Sequence, residues 1–545
     1  MAPKRRPIRA APRANLAALE LALRWLESSY THCGHPSRSV SRSSVKGLLI
    51  VYRLLFEKQI WDQLDAHLRA ASPYEDGAFF LVRPGRGISH SRLIVHELLL
   101  PPDTGWDASG LHNLRPSGQW LSAVIGAAIE CGSGVGFIHS HPDPSHPPSL
   151  SGVDRQTSID WSRTLTPTID RPFLSLVWTP KGSTGWVFEP SDAETAHSVE
   201  RIEVVGGGSS IWVHPFESLE RDAELDDRQT RALGTLSNAR LRQMSIAVVG
   251  SGGTGSPVAE QLARMGIQKL TLVDPDVIDT ASNLRRVIGS HFGDLERKAP
   301  KAEVLGRHIK ELDMVDDVEV LPMDVRTHLA TQALLDSDLV IATTDTHSAR
   351  SYINQLSYQY LLPVIDIGVK IGTSKTGVVS GMPAEVRVLL PDTGCLWCRG
   401  VLDADRIRAE NLPEEERRAQ SYEGYIQGVD EPQPSVISLN FFASSFTLIT
   451  MLRMLTSEGV ASPSQIADGW ESYFSPGTSA IVPSCICKLW RAMADNVTIS
   501  YLPTESSIVP QPINVAPVSF RSVWSRYHGR VKIWPRDKGK RSASK

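Results

Sequence analysis

Two histidines one residue apart, His139 and His141, stand at the end of the apolar run GVGFI and are followed by Ser151 and Asp154. On an extended segment residues i and i+2 project to the same side, so both imidazoles can reach one ion and Asp154 can supply a third ligand. Three protein ligands with an open tetrahedral position are the arrangement of a catalytic zinc, which lowers the pKa of bound water to about 7 and supplies a nucleophile at neutral pH. Hydrolysis also needs a base outside the ligand set, and Glu75, in PYEDGAFFLV ahead of the first core strand, fits that part by pattern. Downstream, Gly250, Gly252, Gly253 and Gly255 lie between an apolar strand and a helix, where glycine allows close backbone approach and a helix N-terminus favours phosphate charge. Asp274, 19 residues after Gly255, is placed to bond ribose hydroxyls. These residues alone suit a nicotinamide or flavin enzyme equally well. Asp276, Asn283, Arg286, Lys301 and Asp345 shift the balance: two cations suit a triphosphate, and Asp345 can hold Mg²⁺ near it.

The elements that must position these groups are legible in outline. A helical pattern covers residues 15 to 30, a Ser/Arg-rich break follows, and a second helical stretch is expected from about Lys46 to Leu68. Short apolar runs from Gly77, a helix near Ser117 to Glu130, the strand ending at the histidines and a hairpin in FLSLVWTPKGSTGWVFEP make an α+β unit that finishes near residue 215. A polar helical connector leads to the glycine turn, after which KLTLVD, VEVLP, LVIATTD and PVIDIGV alternate with helices, the pattern of a Rossmann-like parallel α/β sheet. The expected division is 1–44 (basic extension with a helix), 45–215 (first unit), 216–495 (nucleotide unit) and 496–545 (extension with a basic tail).

At 545 residues, 41% hydrophobic and 21% charged, the chain has matter for two or more cores, which excludes global disorder and collagen-like classes. Net charge is −3, but residues 1–15 carry +5 and residues 529–545 carry +6, leaving −14 on the body. The basic ends read as solubilising tails, with nucleic-acid binding a weak alternative. The basic start is not followed by an apolar core and cleavage site, so neither a signal peptide nor a membrane span is expected. Six cysteines in so long a chain are not a disulfide framework and point to metal or catalytic use in a reducing compartment, hence a cytoplasmic location.

The set Glu75, His139-Ser-His141-Pro142, Ser151 and Asp154 resembles the JAMM (JAB/MPN) metallopeptidase family over about residues 45 to 190. The resemblance implies an α+β JAB/MPN domain in which Glu75 shuttles the proton and Ser151 steadies the oxyanion, cleaving bonds that follow ubiquitin or ubiquitin-like proteins. The loop between Pro142 and Ser151 holds eight residues, longer than is usual for the family, and Ala78 stands where a glycine is common. The stretch VDPDVID…SNLRR…KAE…TTD is similar to the ubiquitin-activating superfamily of ThiF, MoeB and HesA over about residues 220 to 495. By that resemblance the domain binds MgATP and adenylates the C-terminal glycine of a ubiquitin-like protein. Asp274 then binds ribose, Asn283, Arg286 and Lys301 contact the phosphates, Asp345 supports Mg²⁺, and Arg228 reaches the other protomer's ATP in a homodimer.

Cys395-Leu-Trp-Cys398 and Cys485-Ile-Cys487 would form a four-thiolate structural zinc site if the fold joins them, as in ThiF and MoeB relatives; the alternative is buried free thiols. The segment after the first pair, expected to be a flexible crossover loop, contains no cysteine for a thioester, and only Cys33 and Cys131 remain elsewhere. Together these readings describe a two-domain enzyme of a prokaryotic ubiquitin-like or sulfur-carrier pathway, with a conjugating enzyme as a further partner. A nicotinamide-dependent oxidoreductase and a non-catalytic scaffold for a ubiquitin-like protein are the competing readings.

Overall fold

The computed structural model describes residues 50–110, 114–141, 147–207, 209–212, 223–373, 379–423, 426, 434–455, 464–468, 473–476, 485, 487 and 491–496. The expectations for residues 1–49, Pro142, most of the start of the connector and residues 497–545 lie outside them.

The front half comprises β1 (Val51–Glu57), α1 (Lys58–Ala71), β2 (Gly77–Arg86), β3 (His90–Leu99), β4 (Trp106–Ser109), β5 (Leu114–Pro116), α2 (Gly118–Cys131), β6 (Gly134–Ser140), α3 (Gly152–Ile169), β7 (Phe173–Thr179), β8 (Gly182–Glu189), β9 (Asp192–Gly206) and β10 (Ser209–Trp212). Its main sheet runs β1-β3-β2-β6-β7-β8-β9-β10, and a β1–β9 pairing closes it on itself. Closure works because several strands are apolar on both faces. Along β2, Ala78, Phe80 and Val82 join one buried cluster with Trp61 and Leu64 of α1, while Phe79 and Leu81 join a second with Trp120 of α2 and Trp161 of α3. The helix expected over Lys46–Leu68 is corrected here: residues 51–57 are strand, and α1 begins only at Lys58. The reason is a change of period, since VYRLLFE is rich in β-branched and aromatic side chains and is buried on both sides.

The rear half begins with α4 (Ala223–Leu233), α5 (Thr235–Leu241), β11 (Ser245–Val249), α6 (Gly255–Arg264) and β12 (Lys269–Val273). It continues through a 3-10 turn at Asn283–Arg285, α7 (Phe292–Glu296), α8 (Lys301–Leu312), β13 (Asp317–Leu321), α9 (His328–Leu335), β14 (Leu339–Ala342), α10 (His347–Gln359) and β15 (Val364–Val369). Then come β16 (Gly372–Thr373), β17 (Val379–Gly381), β18 (Pro383–Leu389), α11 (Ala404–Glu410), α12 (Glu414–Tyr422), α13 (Ile437–Leu455), β19 (Ser464–Asp468), β20 (Tyr473–Pro476) and a 3-10 turn at Ala494–Asn496. The sheet order is β13-β12-β11-β14-β15-β18-β19-β20. Its first five strands are parallel, as expected, but β15 to β20 pair antiparallel, so the sheet is mixed. The expected crossover loop instead carries α11, capped by Asp403, and α12, which buries none of its side chains. By length and composition α13 alone among the described helices could cross a membrane, although half of that stretch is buried in the protein. Ser444 and Ser445 of α13 bond Thr254 O and Gln261 Oε1, so the helix packs along α6.

The two halves are not beads on a string. In β1 the even positions Tyr52, Leu54 and Phe56 fill the front core, whereas Leu55 joins the core of the rear half together with Ile94 and Val205. Arg53, on the same side as Leu55, donates to Asp338 Oδ1 at 2.8 Å, and Arg201 of β9 bonds the same carboxylate oxygen. Arg92, fully buried, donates to Leu335 O at 3.0 Å and Ser337 O at 2.8 Å, where the carbonyls at the end of α9 favour a cation. The β2–β3 turn sits on Asp336, which accepts from Ser89 N at 2.9 Å and His90 N at 3.0 Å. A Cβ on Gly87 would meet Asp336 Oδ1 at 1.9 Å, so only glycine allows that approach.

Candidate functional sites

Strand β6 holds His139 between β2, where it pairs with Gly77, and β7, where it pairs with Val177. The imidazoles of His139 and His141 stand edge to face, with centroids 5.0 Å apart and planes at 69°. Asp154 comes from the first turn of α3, which Ser151 caps: Ser151 Oγ accepts from Asp154 N at 3.1 Å, and Asp154 Oδ2 accepts from Ser151 N at 2.7 Å. This reciprocal capping box aims the carboxylate at the strand end. Asp154 Oδ1 lies 3.3 Å from His139 Nε2, and Oδ2 lies 3.5 Å from His141 Nε2. Burial pushes the Asp154 carboxyl upward, but His139 and Ser151 outweigh it and hold the group well below the usual carboxylate range. Nδ1 of buried His139 has no hydrogen-bond partner, and Nε2 has only the long contact to Asp154. An orphaned nitrogen in a buried imidazole is costly unless something else binds it, and the three donor groups, all within 4.8 Å of one another, fit a zinc ion.

Glu75 is partly buried just before β2, with its amide bonded to Gly110 O at 3.2 Å. Its neighbour ties it to the histidine strand: Asp76 N donates to Ser140 Oγ at 3.0 Å, and Ser140 N donates to Asp76 O at 2.8 Å. His67 of α1 adds a contact of 3.2 Å to Asp76 Oδ2. Asp76, Ser140 and His67 escaped the sequence reading. Only the adjacency of Asp76 to Glu75, and of Ser140 to both histidines, hinted at them.

In the rear half the chain turns from β11 into α6 through Gly250 to Gly255. Sheet order places β11 between β12 and β14, the point where strand connections run in opposite directions and open a crevice at the carboxyl ends. Gly250 has φ of 101°, and a Cβ on Gly255 would lie 1.8 Å from Gly250 O, so the turn admits no side chain there. Gly253 lies against Arg286 and against Asn440 of α13, while Gly252 faces open space. Asp274 closes β12 and accepts from Ser251 N at 2.5 Å and Asp276 N at 2.8 Å; burial dominates and raises its carboxyl. Asn283 is buried, and its Oδ1 accepts from Arg286 at 3.2 Å, which steers that guanidinium. Lys301 Nζ pairs with Asp276 Oδ2 at 2.8 Å. Asp345 is exposed beyond β14, beside the glycine turn because Thr343 Oγ1 donates to Gly250 O at 2.9 Å. Buried Ser251 Oγ and Thr344 Oγ1, flanking the crevice, have no hydrogen-bond partner. The structure therefore gathers Asp274, Asp276, Asn283, Arg286 and Lys301 around one edge of the turn. Arg228 stands apart, exposed on α4.

The four rear cysteines meet. Cys395 Sγ is 3.6 Å from Cys398 Sγ and 3.4 Å from Cys485 Sγ, and Cys398 Sγ is 3.8 Å from Cys487 Sγ. A tetrahedron with Zn–S bonds of about 2.3 Å has edges of about 3.8 Å, so the spacing suits one zinc ion despite the short Cys-x-Cys pair. Burial and the neighbouring thiols push Cys395 up to about 12. A bound cation would favour the thiolate form that ligation needs.

Residues 227–475 match the ThiF family model. Among curated proteins, the chain is 27% identical over 188 residues to the SAMP-activating enzyme E1 of Haloferax volcanii, covering 33% of this chain and 64% of that protein. It is 24% identical over 172 residues to the sulfur carrier protein ThiS adenylyltransferase of Bacillus subtilis, covering 32% of this chain and 48% of that protein. The chain thus spans less than two thirds of the length of these relatives. Among solved structures, E. coli MccB with MccA-N7isoASN aligns at 16% identity over 49% of this chain and 75% of that one, with a TM-score of 0.39. Residues 227–475 of the chain thus form a ThiF-family domain.

Proposed function

We propose that the rear half binds MgATP and adenylates the C-terminal glycine of a ubiquitin-like or sulfur-carrier protein. The observation that carries this reading is the glycine turn at the crevice, ringed by Asp274, Arg286 and Lys301, inside a ThiF domain. A carboxylate attacking the α-phosphate adds negative charge to an anionic centre, so fixed cations and amides lower the barrier. Arg286 is steered by Asn283, and Lys301 can exchange Asp276 for a phosphate; Asp345 at the open edge would hold Mg²⁺. The names of the relatives, an activating enzyme and a carrier-protein adenylyltransferase, support such a partner. The segment 399–436 has no cysteine, so the adenylate passes directly to its acceptor rather than to a thiol on that segment. Arg228, with exposed Leu225 and Leu236 near it, would face a second protomer in a homodimer.

For the front half the convergence of His139, His141 and Asp154 favours a zinc-dependent peptidase or isopeptidase acting on the same carrier protein or its conjugates. His139, His141 and Asp154 would hold the ion, which supplies Lewis-acid activation of water and carbonyl. Glu75 takes the proton of the attacking water and returns it to the leaving nitrogen. Ser151 Oγ accepts a bond from Asp154 N, which leaves its own proton to donate to the developing oxyanion. The four cysteines would hold a structural zinc, and their reduced state fits a cytoplasmic enzyme that could serve a conjugating partner.

The test is pyrophosphate exchange by the full chain with a small Gly-terminated β-grasp protein. Exchange that requires that protein and disappears with Asp345→Ala supports the reading. Its absence with every such protein, while the protein still binds, supports a scaffold instead. Cleavage of an extended or conjugated form of the same protein, lost with Glu75→Gln while metal is retained, tests the front site.

A further inference from the structure

Past the second cysteine pair the chain does not leave the rear half; it crosses to the front one. Four residues after Cys487, Arg491 forms a two-pronged ion pair with Glu57, the last residue of β1, its Nε at 2.7 Å from Oε2. Arg83 of β2 donates to Ala492 O at 3.3 Å. The same segment is held from the other side: Ala492 N donates to Tyr358 O at 3.0 Å, Gln359 Nε2 donates to Ala494 O at 2.5 Å, and Tyr360 Oη donates to Asp495 Oδ1 at 2.8 Å. Ala492 and Ala494 are buried in the rear core. Residues 491–496 are thus a strap wedged between the halves, and the four-cysteine cluster lies just upstream of it.

We propose that the metal held by Cys395, Cys398, Cys485 and Cys487 acts as a clasp that locks the front half onto the ThiF domain through this strap, so that metal occupancy and interdomain docking stabilise each other. The proposal rests on the reading that the four thiols bind a metal. The physical reason is linkage. Metal binding fixes Cys485 and Cys487 and so removes conformational freedom from the segment that must reach Glu57 and Arg83; conversely, a docked strap presents the two thiols already in place. Coupling of this kind is reciprocal, so loosening the strap must weaken the metal by the same factor that metal loss loosens the strap.

The experiment uses the full chain carrying His141→Ala, so that zinc reports on the cysteines alone. Zinc affinity is measured by competition with a chromophoric chelator, and unfolding by calorimetry. Arg491→Ala and, separately, Tyr360→Phe are expected to lower zinc affinity about tenfold and about threefold, while Arg69→Ala, which removes a solvent-facing pair with Asp65, leaves it unchanged. Chelation is expected to split a single unfolding transition into two. Zinc affinity within twofold of the parent in both strap variants, or a transition that stays single after zinc is withdrawn, overturns the clasp. A chain that purifies without stoichiometric metal and takes up none overturns the metal reading itself, and the two failures are told apart by elemental analysis.

Discussion

The two metal-ligand clusters are built in opposite ways. His139, His141 and Asp154 fall within sixteen residues, on one strand end and the first turn of the following helix, and are aimed by a capping box internal to the front half. The four thiols come from two segments ninety residues apart, and the later one continues into the interface. A local cluster is assembled as soon as its strand and helix pack. A distant one closes a loop of chain and can bear on everything that loop touches. On the proposed reading the front cluster serves chemistry and the rear cluster architecture.

The largest effect should separate them directly. Cys487→Ser is expected to lower the melting temperature by roughly 10 °C or more, because the metal's binding energy is part of the folding energy. His141→Ala should abolish the metal binding and the peptidase activity proposed for the front half while shifting the melting temperature by no more than about 2 °C. Differential scanning calorimetry with metal analysis checks both, and equal shifts would abolish the contrast.

Next comes the interface that the clasp serves. Asp338 is buried between Arg53, Arg201 and Ser245 N, and although burial pushes its carboxyl up, the guanidinium groups hold it down to about 2. Its folded value lies below the unfolded value of about 3.9, so its contribution is complete above that pH and is lost as pH falls toward the folded value. Asp338→Asn leaves two buried cations short of charge and is expected to cost about 3–5 kcal/mol at neutral pH, read from urea unfolding. The variant should also show a flatter loss of stability between pH 4 and 2 than the parent. An unchanged slope would mean that other carboxylates govern acid unfolding.

The smallest effect sharpens the local character of the front site. Ser151→Ala removes one half of the capping box and is expected to cost about 1 kcal/mol. Because the same hydroxyl steers Asp154, metal affinity at the histidines should fall, while zinc at the cysteines stays unchanged. Isothermal titration of metal into the stripped protein reads both.

Much of each site was legible because its residues are chemically uncommon and regularly spaced. His139 and His141 at i and i+2, the glycines before α6, Asp274 at the end of the next strand and the Cys395–Cys398 pair all stand where the sequence puts them. What escaped reading was the face of β1. Arg53 and Glu57 alternate with Tyr52, Leu54 and Phe56, and in isolation such charges read as a solvent face, or as the polar side of a helix, which is how residues 46–68 were expected to fold. Here they are buried because another half of the molecule lies on them. Arg92 and Arg201 escaped for the same reason: their partners, the carbonyls after α9 and the Asp338 carboxylate, come from more than a hundred residues away.

By itself, then, the sequence determined the kinds of chemistry available, because ligand identity and short-range spacing are local properties of the chain. It also determined the order of two units along that chain. Tertiary structure alone decided that the units share a buried, charged interface, that two unequal cysteine pairs meet at metal-binding distance, and that the segment after Cys487 is wedged between the halves. Those facts depend on which surfaces exclude water together, and burial is a property of the packed whole that no single segment carries.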